Sequence, residues 1–251
     1  MPTDFIVETR GLTKEFSGFT AVRAVDLKIR RGSIHALIGP NGAGKTTVFN
    51  LLTKFLAPTA GSIVYNGNDI TAAKPHDVAR RGMVRSFQIS AVFPRLSVRD
   101  NVRIALQQPT GRSFRFWQAE RSLHGLHDRV GALLRAVGLE ELSDIAAGEL
   151  SYGRKRTLEI ATTLALDPEI LLLDEPTSGL GQEDIGRITE LIRSVAANRT
   201  VVMVEHNLAV VEKLSDVITV LTRGQVLAEG PYAAVSRNKE VIEAYLGTGD
   251  G

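Results

Sequence analysis

Hydrophobic positions follow three patterns along the chain. Val25, Leu27 and Ile29 alternate with Asp26 and Lys28, the period of a half-buried strand. Residues 5–35 and 62–66 share this β-rich character, with a turn near Asn66-Gly67. Ser33–Ile38, Met83–Phe87, Ile170–Asp174, Val201–Glu205 and Val217–Leu221 are short, mainly apolar runs. Such runs predict strands buried on both faces, as in a parallel sheet. A helical period connects Val48, Leu51, Leu52 and Phe55, then Val130, Leu133, Leu134 and Val137, then Ile185, Ile188, Ile192 and Val195. The last of these opens on Gln182-Glu183-Asp184, acids suited to a helix N-terminus. Strand alternating with helix predicts an α/β sheet. Between about 92 and 154 the strand runs stop, which predicts a helical lobe inserted in that core. Gln107–Arg121, holding Pro109, Gly111 and Trp117, is expected to be an irregular connector. A hairpin is predicted over Val217–Glu229 through Arg223-Gly224, and a short helix over Lys239–Leu246.

One junction between strand and helix carries a chemical signal. Gly39-Pro40-Asn41-Gly42-Ala43-Gly44-Lys45-Thr46-Thr47 fits G-x-x-x-x-G-K-[ST], the phosphate-binding P-loop. Its glycines let backbone N–H groups turn onto phosphate oxygens, and the helix that follows adds its positive end. Lys45 can reach the β- and γ-phosphates, and Thr46 can place its hydroxyl on Mg²⁺.

Composition narrows the classes. A chain of 251 residues that is 43% apolar and 23% charged suits one globular domain, or one core with a subsidiary lobe. With no cysteine, disulfides, thiolate metal sites and cysteine nucleophiles are excluded. Met1-Pro2-Thr3-Asp4 does not open a basic and then apolar leader, so no signal peptide is expected. Apolar runs such as Ile170–Leu173 are far too short to span a bilayer, so a membrane role is expected through a partner. The formal charge of +2 gives no argument for nucleic acid.

Other segments have two readings each. Ile170–Glu175 is a strand ending in two carboxylates. Alone it fits a solvated strand end; downstream of a P-loop, Asp174 fits the Mg²⁺ shell and Glu175 a general base. His206 ends the next strand, where an imidazole contacts a γ-phosphate or is simply exposed. Gln88 follows a short strand and is a surface amide or a ligand for Mg²⁺ or water. Leu150-Ser151-Tyr152-Gly153-Arg154 precedes a helix; Ser151 suits an N-cap, and a capped N-terminus beside glycine also suits an anion. Phe16, in a glycine-containing turn, is a core or surface aromatic or a stacking platform for a purine. Arg80, Arg81, Arg85, Arg95, Arg99, Arg103, Arg112, Arg115 and Arg121 are opposed only by Asp100 and Glu120. A solvated charged face is expected there, with a docking surface for an acidic partner or anionic lipid as the second reading.

In this order the segments resemble the nucleotide-binding cassette of an ABC transporter over nearly the whole chain. The resemblance implies a P-loop NTPase (RecA-like) α/β core with an antiparallel β subdomain, over about 1–91 and 155–235. It implies an inserted α-helical subdomain at 92–154 and a C-terminal helix and tail at 236–251. Gly39–Thr46 matches Walker A, Ile170–Asp174 Walker B, Glu175 the catalytic base, Gln88 the Q-loop, Leu150–Arg154 the signature and His206 the switch. Phe16 matches the adenine-stacking aromatic. Mg²⁺ is then held by Thr46, Gln88 and, through water, Asp174. Two cassettes are implied to close face to face, so that Ser151 and Gly153 of one cap the γ-phosphate of the ATP held by the other. Two membrane permeases and, indirectly, a substrate-binding protein follow, with the cassette peripheral on the cytoplasmic face.

Within the family, Ser86-Phe87-Gln88, Leu150-Ser151-Tyr152-Gly153, Val204-Glu205-His206-Asn207 and Ala244-Tyr245-Leu246-Gly247 look most like importers of branched-chain and other hydrophobic amino acids. Urea or amide importers and lipid or lipopolysaccharide exporters share much of this pattern. A soluble ABC ATPase of DNA repair or translation usually adds a second cassette, a coiled coil or zinc cysteines, and a small-molecule kinase has no signature segment. Two departures stand out. The signature has Tyr152 and Arg154 where the family usually has Gly and Gln, and the D-loop ends in Gly181 rather than Asp or Asn.

Overall fold

The computed structural model describes residues 4–86, 92–107 and 120–246. Gln88, Arg112, Arg115 and Trp117 lie outside the described residues. The chain opens with β1 (Phe5–Phe16), β2 (Phe19–Val25) and β3 (Lys28–Arg30), which are joined later by β5 (Ala60–Tyr65) and β6 (Asn68–Asp69). These pair antiparallel in the order β2-β1-β5-β6, with β3 also on β1. The second sheet uses β4 (Ile34–Ile38), β7 (Met83–Ser86), β8 (Ile170–Asp174), β9 (Thr200–Val204), β10 (Val217–Thr222) and β11 (Gln225–Gly230). Its order is β11-β10-β4-β9-β8-β7, parallel throughout except for the β10–β11 hairpin at one edge.

The continuous apolar runs are explained by two cores, one on each face of this sheet. Ile34, Ala36, Leu171, Leu173, Val201 and Met203 point into one; Leu37, Ile170, Leu172, Val202 and Val204 point into the other. Alternate side chains leave opposite faces of a strand, so both sets must be apolar. The second core also takes the buried side chains of β1 and β2 and of α1 (Lys45–Leu52), so it joins the antiparallel sheet to the P-loop helix. The first core carries the helices: α3 (Val98–Gln107), α4 (Glu120–Ala136), α5 (Tyr152–Leu164), α6 (Gln182–Ala196) and α7 (Leu208–Leu214). Short helices α2 (Pro75–Arg80) and α8 (Tyr232–Val235) complete the connections, and α9 (Lys239–Leu246) closes the chain where the sequence places a helix.

Among the described residues, the stretch from 98 to 164 is helical wherever it is regular, with 3₁₀ turns at Glu140–Leu142 and Ala147–Glu149. The connector expected over Gln107–Arg121 is too long at both ends. Gln107 is the last residue of α3, and Glu120 and Arg121 open α4. The arginine-rich stretch is not one solvated face either. Arg99 and Arg103 lie outside and pair with Asp144 and Asp100. Arg85 instead turns a largely buried side chain into the nucleotide region, where it is ion-paired to Asp174.

Candidate nucleotide-binding site

Parallel strands β4, β9 and β8 are neighbours, so their C-terminal ends bring Gly39–Thr47, His206 and Asp174-Glu175 to one edge of the sheet. Ligands bind at this edge in open α/β sheets. From β4 the chain turns through Gly39–Gly44 into α1. Gly44 is the N-cap, with φ 96°, and a Cβ there would sit 2.6 Å from the Ala21 carbonyl oxygen. Only glycine suits both the left-handed backbone and the contact. The loop is tied from outside: Gly224 N–H donates to Ala43 O at 3.1 Å. No side chain caps α1, and its first turn holds no acid. Its leading N–H groups and positive end therefore meet the requirements of a phosphate site. Asn41, Gly42 and Thr46 are exposed, Gly39 and Ala43 buried, and Pro40, Gly44 and Thr47 intermediate.

Lys45 is buried and donates from Nζ to Gly39 O at 2.7 Å and Pro40 O at 2.9 Å. Burial lowers its pKa, against the opposing pull of Glu175 and Asp174. Two neutral carbonyls are weaker partners for an ammonium than phosphate oxygens, so the lysine is free to exchange them.

Asp174 is buried at the end of β8. Glu175 follows in the left-handed region at φ 46°, an uncommon conformation for a side-chain-bearing residue. It is fixed by its own N–H to Val204 O at 2.9 Å and by Arg156. Arg156, buried on α5, donates to the carbonyls of Asp174 at 2.7 Å, Glu175 at 3.2 Å and Pro176 at 3.3 Å, and to the Glu159 carboxylate at 2.7 Å. Glu205, fully buried, accepts from Thr177 N–H at 2.9 Å and Oγ1 at 2.7 Å, and from His206 N–H at 3.2 Å. It ties the segment after Glu175 to the strand end that carries His206. His206 itself is exposed. The sequence reading assigned no role to Arg156 or Glu205. A pair of charges three apart on the α5 face that packs on the core, Arg156 and Glu159, was the available signal for the first.

Ser151, Tyr152 and Gly153 are elsewhere. Ser151 is the N-cap of α5 and accepts from Arg154 N–H at 3.4 Å. At Gly153 an added Cβ would fall 2.2 Å from the carboxylate of Asp184 in the first turn of α6, so any larger residue requires that side chain to turn aside. Among the described residues no hydrogen bond joins Ser151–Arg154 to Gly39–Thr47. Gly181 is the N-cap of α6 and offers no side-chain acceptor. Phe16 is exposed at the end of β1, with Lys14 Nζ 5.1 Å from its ring centroid.

Residues 22–178 match the ABC transporter family. The chain belongs to that family. Residues 225–251 also match the branched-chain amino acid ATP-binding cassette transporter segment. The cassette is 38% identical to the high-affinity branched-chain amino acid transport ATP-binding protein BraF of Pseudomonas aeruginosa, over 96% of this chain and 98% of that one. It is equally identical to LivG of Escherichia coli, of the same description, with the same coverage. A crystal structure of a nucleotide-free ATP-binding cassette from an ABC transporter superposes with a TM-score of 0.85 at 28% identity, covering 96% of this chain and 98% of that one. The ADP conformation of an ABC transporter cassette gives the same score and identity, covering 98% and 100%. The cassette is thus an ATP-binding ATPase subunit built on the P-loop fold, and no described helix is long and apolar enough to cross a membrane.

Proposed function

We propose that this cassette hydrolyses Mg·ATP as half of a cassette dimer and drives import of branched-chain or other hydrophobic amino acids through two membrane permeases. The observation that carries this reading is the near-full-length similarity to BraF and LivG, together with the match of residues 225–251 to the branched-chain segment. ATP lies with its phosphates on Gly39–Thr47 and its adenine on Phe16 once Lys14 moves aside. Lys45 exchanges its two carbonyls for the β- and γ-phosphates. Thr46, Asp174 through water, and Gln88 would hold Mg²⁺, which would supply positive charge against that developing on the phosphates. Water attacks the γ-phosphorus; its proton passes to the Glu175 carboxylate, and the bond to the β–γ bridging oxygen breaks with its electron pair leaving on ADP. His206 and Gln88 position that water and respond to the γ-phosphate.

Ser151 and Gly153 contribute to the ATP of the facing cassette, since each site's own signature segment lies on another helix. The domain organisation follows from this division: 1–91 and 155–235 form the core and β subdomain, 92–154 the helical subdomain, and 236–251 the C-terminal piece. A groove of about 380 Å³, lined by Phe55, Pro75, Ala79, Val84, Ala105 and Thr162, runs between the core and the helices. Its apolar floor and exposed Phe55 suit a cytoplasmic helix of a permease. The cassette then sits peripherally on the cytoplasmic face, and a substrate-binding protein acts on the other side.

Glu175→Gln tests the chemistry: ATP binding persists while hydrolysis falls by about 10²–10⁴-fold. Hydrolysis near the wild-type rate removes Glu175 as the base. Uptake of leucine, urea and a short amide by the reconstituted transporter tests the substrate class; urea uptake without leucine uptake would reassign it.

A further inference from the structure

Among the described residues of the arginine-rich stretch, Arg85 is the one that enters the nucleotide region, and the mechanism above gives it no role. Its side chain is 9% exposed and that of its ion-pair partner, Asp174, 2%. The guanidinium leaves β7, crosses to the end of β8, and donates one nitrogen to Asp174 Oδ2 and the other to Asn50 Oδ1 on α1. Its carbon lies 5.8 Å from the centroid of the Phe49 ring. Among the described residues Nε has no acceptor, so the hydrogen bonds that hold the group come from its two forward nitrogens.

A buried carboxylate is costly unless a cation compensates it. During turnover the compensating cation at Asp174 is magnesium, and between turnovers something else must serve. Lys45 is near enough to be attracted by Asp174, but its ammonium donates to the carbonyls of Gly39 and Pro40 and makes no hydrogen bond to the carboxylate. The guanidinium takes one Asp174 oxygen and spares the other. The same bond fixes the carboxylate's rotation, and Asn50 anchors the arrangement to the helix that the P-loop begins.

We propose that Arg85 is the resident counter-cation of Asp174. It holds the carboxylate in place while the site is empty, and its charge weakens the magnesium that arrives beside it, so that metal and ADP leave readily. Arg85 is on this account a positioning residue that sets metal affinity from behind the carboxylate. The metal part of the proposal rests on the nucleotide reading above; the pairing itself does not.

Two measurements test it. In nucleotide-free protein with EDTA, Arg85→Met should lower Tm by about 10 °C, because it strands a buried charge. Adding Asp174→Asn to Arg85→Met should recover most of that loss. Additive effects of the two substitutions would overturn the pairing, whatever ATP does. With a fluorescent ATP analogue titrated at fixed free Mg²⁺, Arg85→Met should require about tenfold less magnesium than wild type, since a repelling charge is gone. Arg85→Lys keeps that charge but loses the two-point hold; it should retain near-wild-type magnesium dependence with a smaller fall in Tm. A purely structural arginine would leave magnesium dependence unchanged, and unchanged or weaker magnesium binding in Arg85→Met overturns the proposal. Should Arg85→Met alone not fold, the Arg85→Met/Asp174→Asn protein carries the first test and Arg85→Lys the second: no recovery of folding in the double variant, or a tenfold gain in magnesium affinity in Arg85→Lys, would each overturn it.

Discussion

Helices α1 and α5 both begin at segments whose sequences suit phosphate, and they are built in opposite ways. α1 starts at a left-handed glycine, carries no side-chain cap and has a lysine as its first residue. α5 starts at Ser151, whose hydroxyl already accepts one of its N–H groups, and the carboxylate of Asp184 presses on Gly153. The first end is open and cationic. The second is partly satisfied and has an anion beside it, so it lacks the charge to attract phosphate unaided. The contrast fits the proposal that the α1 end holds this chain's own ATP while the α5 end serves the ATP of a facing cassette.

The largest test of that contrast is Lys45→Ala. It removes the one cation of the open end, and ATP affinity of the isolated cassette should fall by about 10- to 100-fold, the worth of charge-assisted hydrogen bonds. Calorimetric titration checks this, and an unchanged affinity would erase the distinction between the helices. Gly153→Ala should leave that affinity alone. It should instead cost less than about 1 kcal/mol of stability, because the Asp184 carboxylate must turn aside while alanine favours the helix, with the loss restored by Asp184→Ala. Equal denaturant midpoints for Gly153→Ala and wild type would mean that the carboxylate does not crowd the glycine. Ser151→Ala should cost only about 0.5 kcal/mol, at the low end for a cap because its bond is long. A thermal melt lowered by more than several degrees would show α5 depending on its cap far more than the geometry implies. The smallest effect belongs to Gly181→Asn, which gives α6 the side-chain acceptor it lacks. A gain of a few tenths of a kcal/mol is expected, and a loss would mean that position 181 needs glycine for another reason.

Much of this architecture is written locally. Strands β4, β8, β9 and β10 are legible because each is apolar on both faces, and the P-loop because its residues act within one turn. What escapes is whatever depends on a distant partner. Arg85 reads as one more surface arginine until the fold brings it to Asp174, 89 positions later. Arg156 and Glu205 bond mainly to backbone groups whose positions exist only after β8 and β9 have paired. The connector before α4 was drawn too wide because helix ends carry little periodicity.

The three carbonyls gripped by Arg156 make the start of α5 and the turn carrying Glu175 a single stiff lever. Packed elements joined by several hydrogen bonds transmit displacement instead of absorbing it. On the roles proposed above, a push on Ser151 from a facing cassette would reach Glu175 through this connection, and contact at one end of the lever would set the timing of hydrolysis at the other.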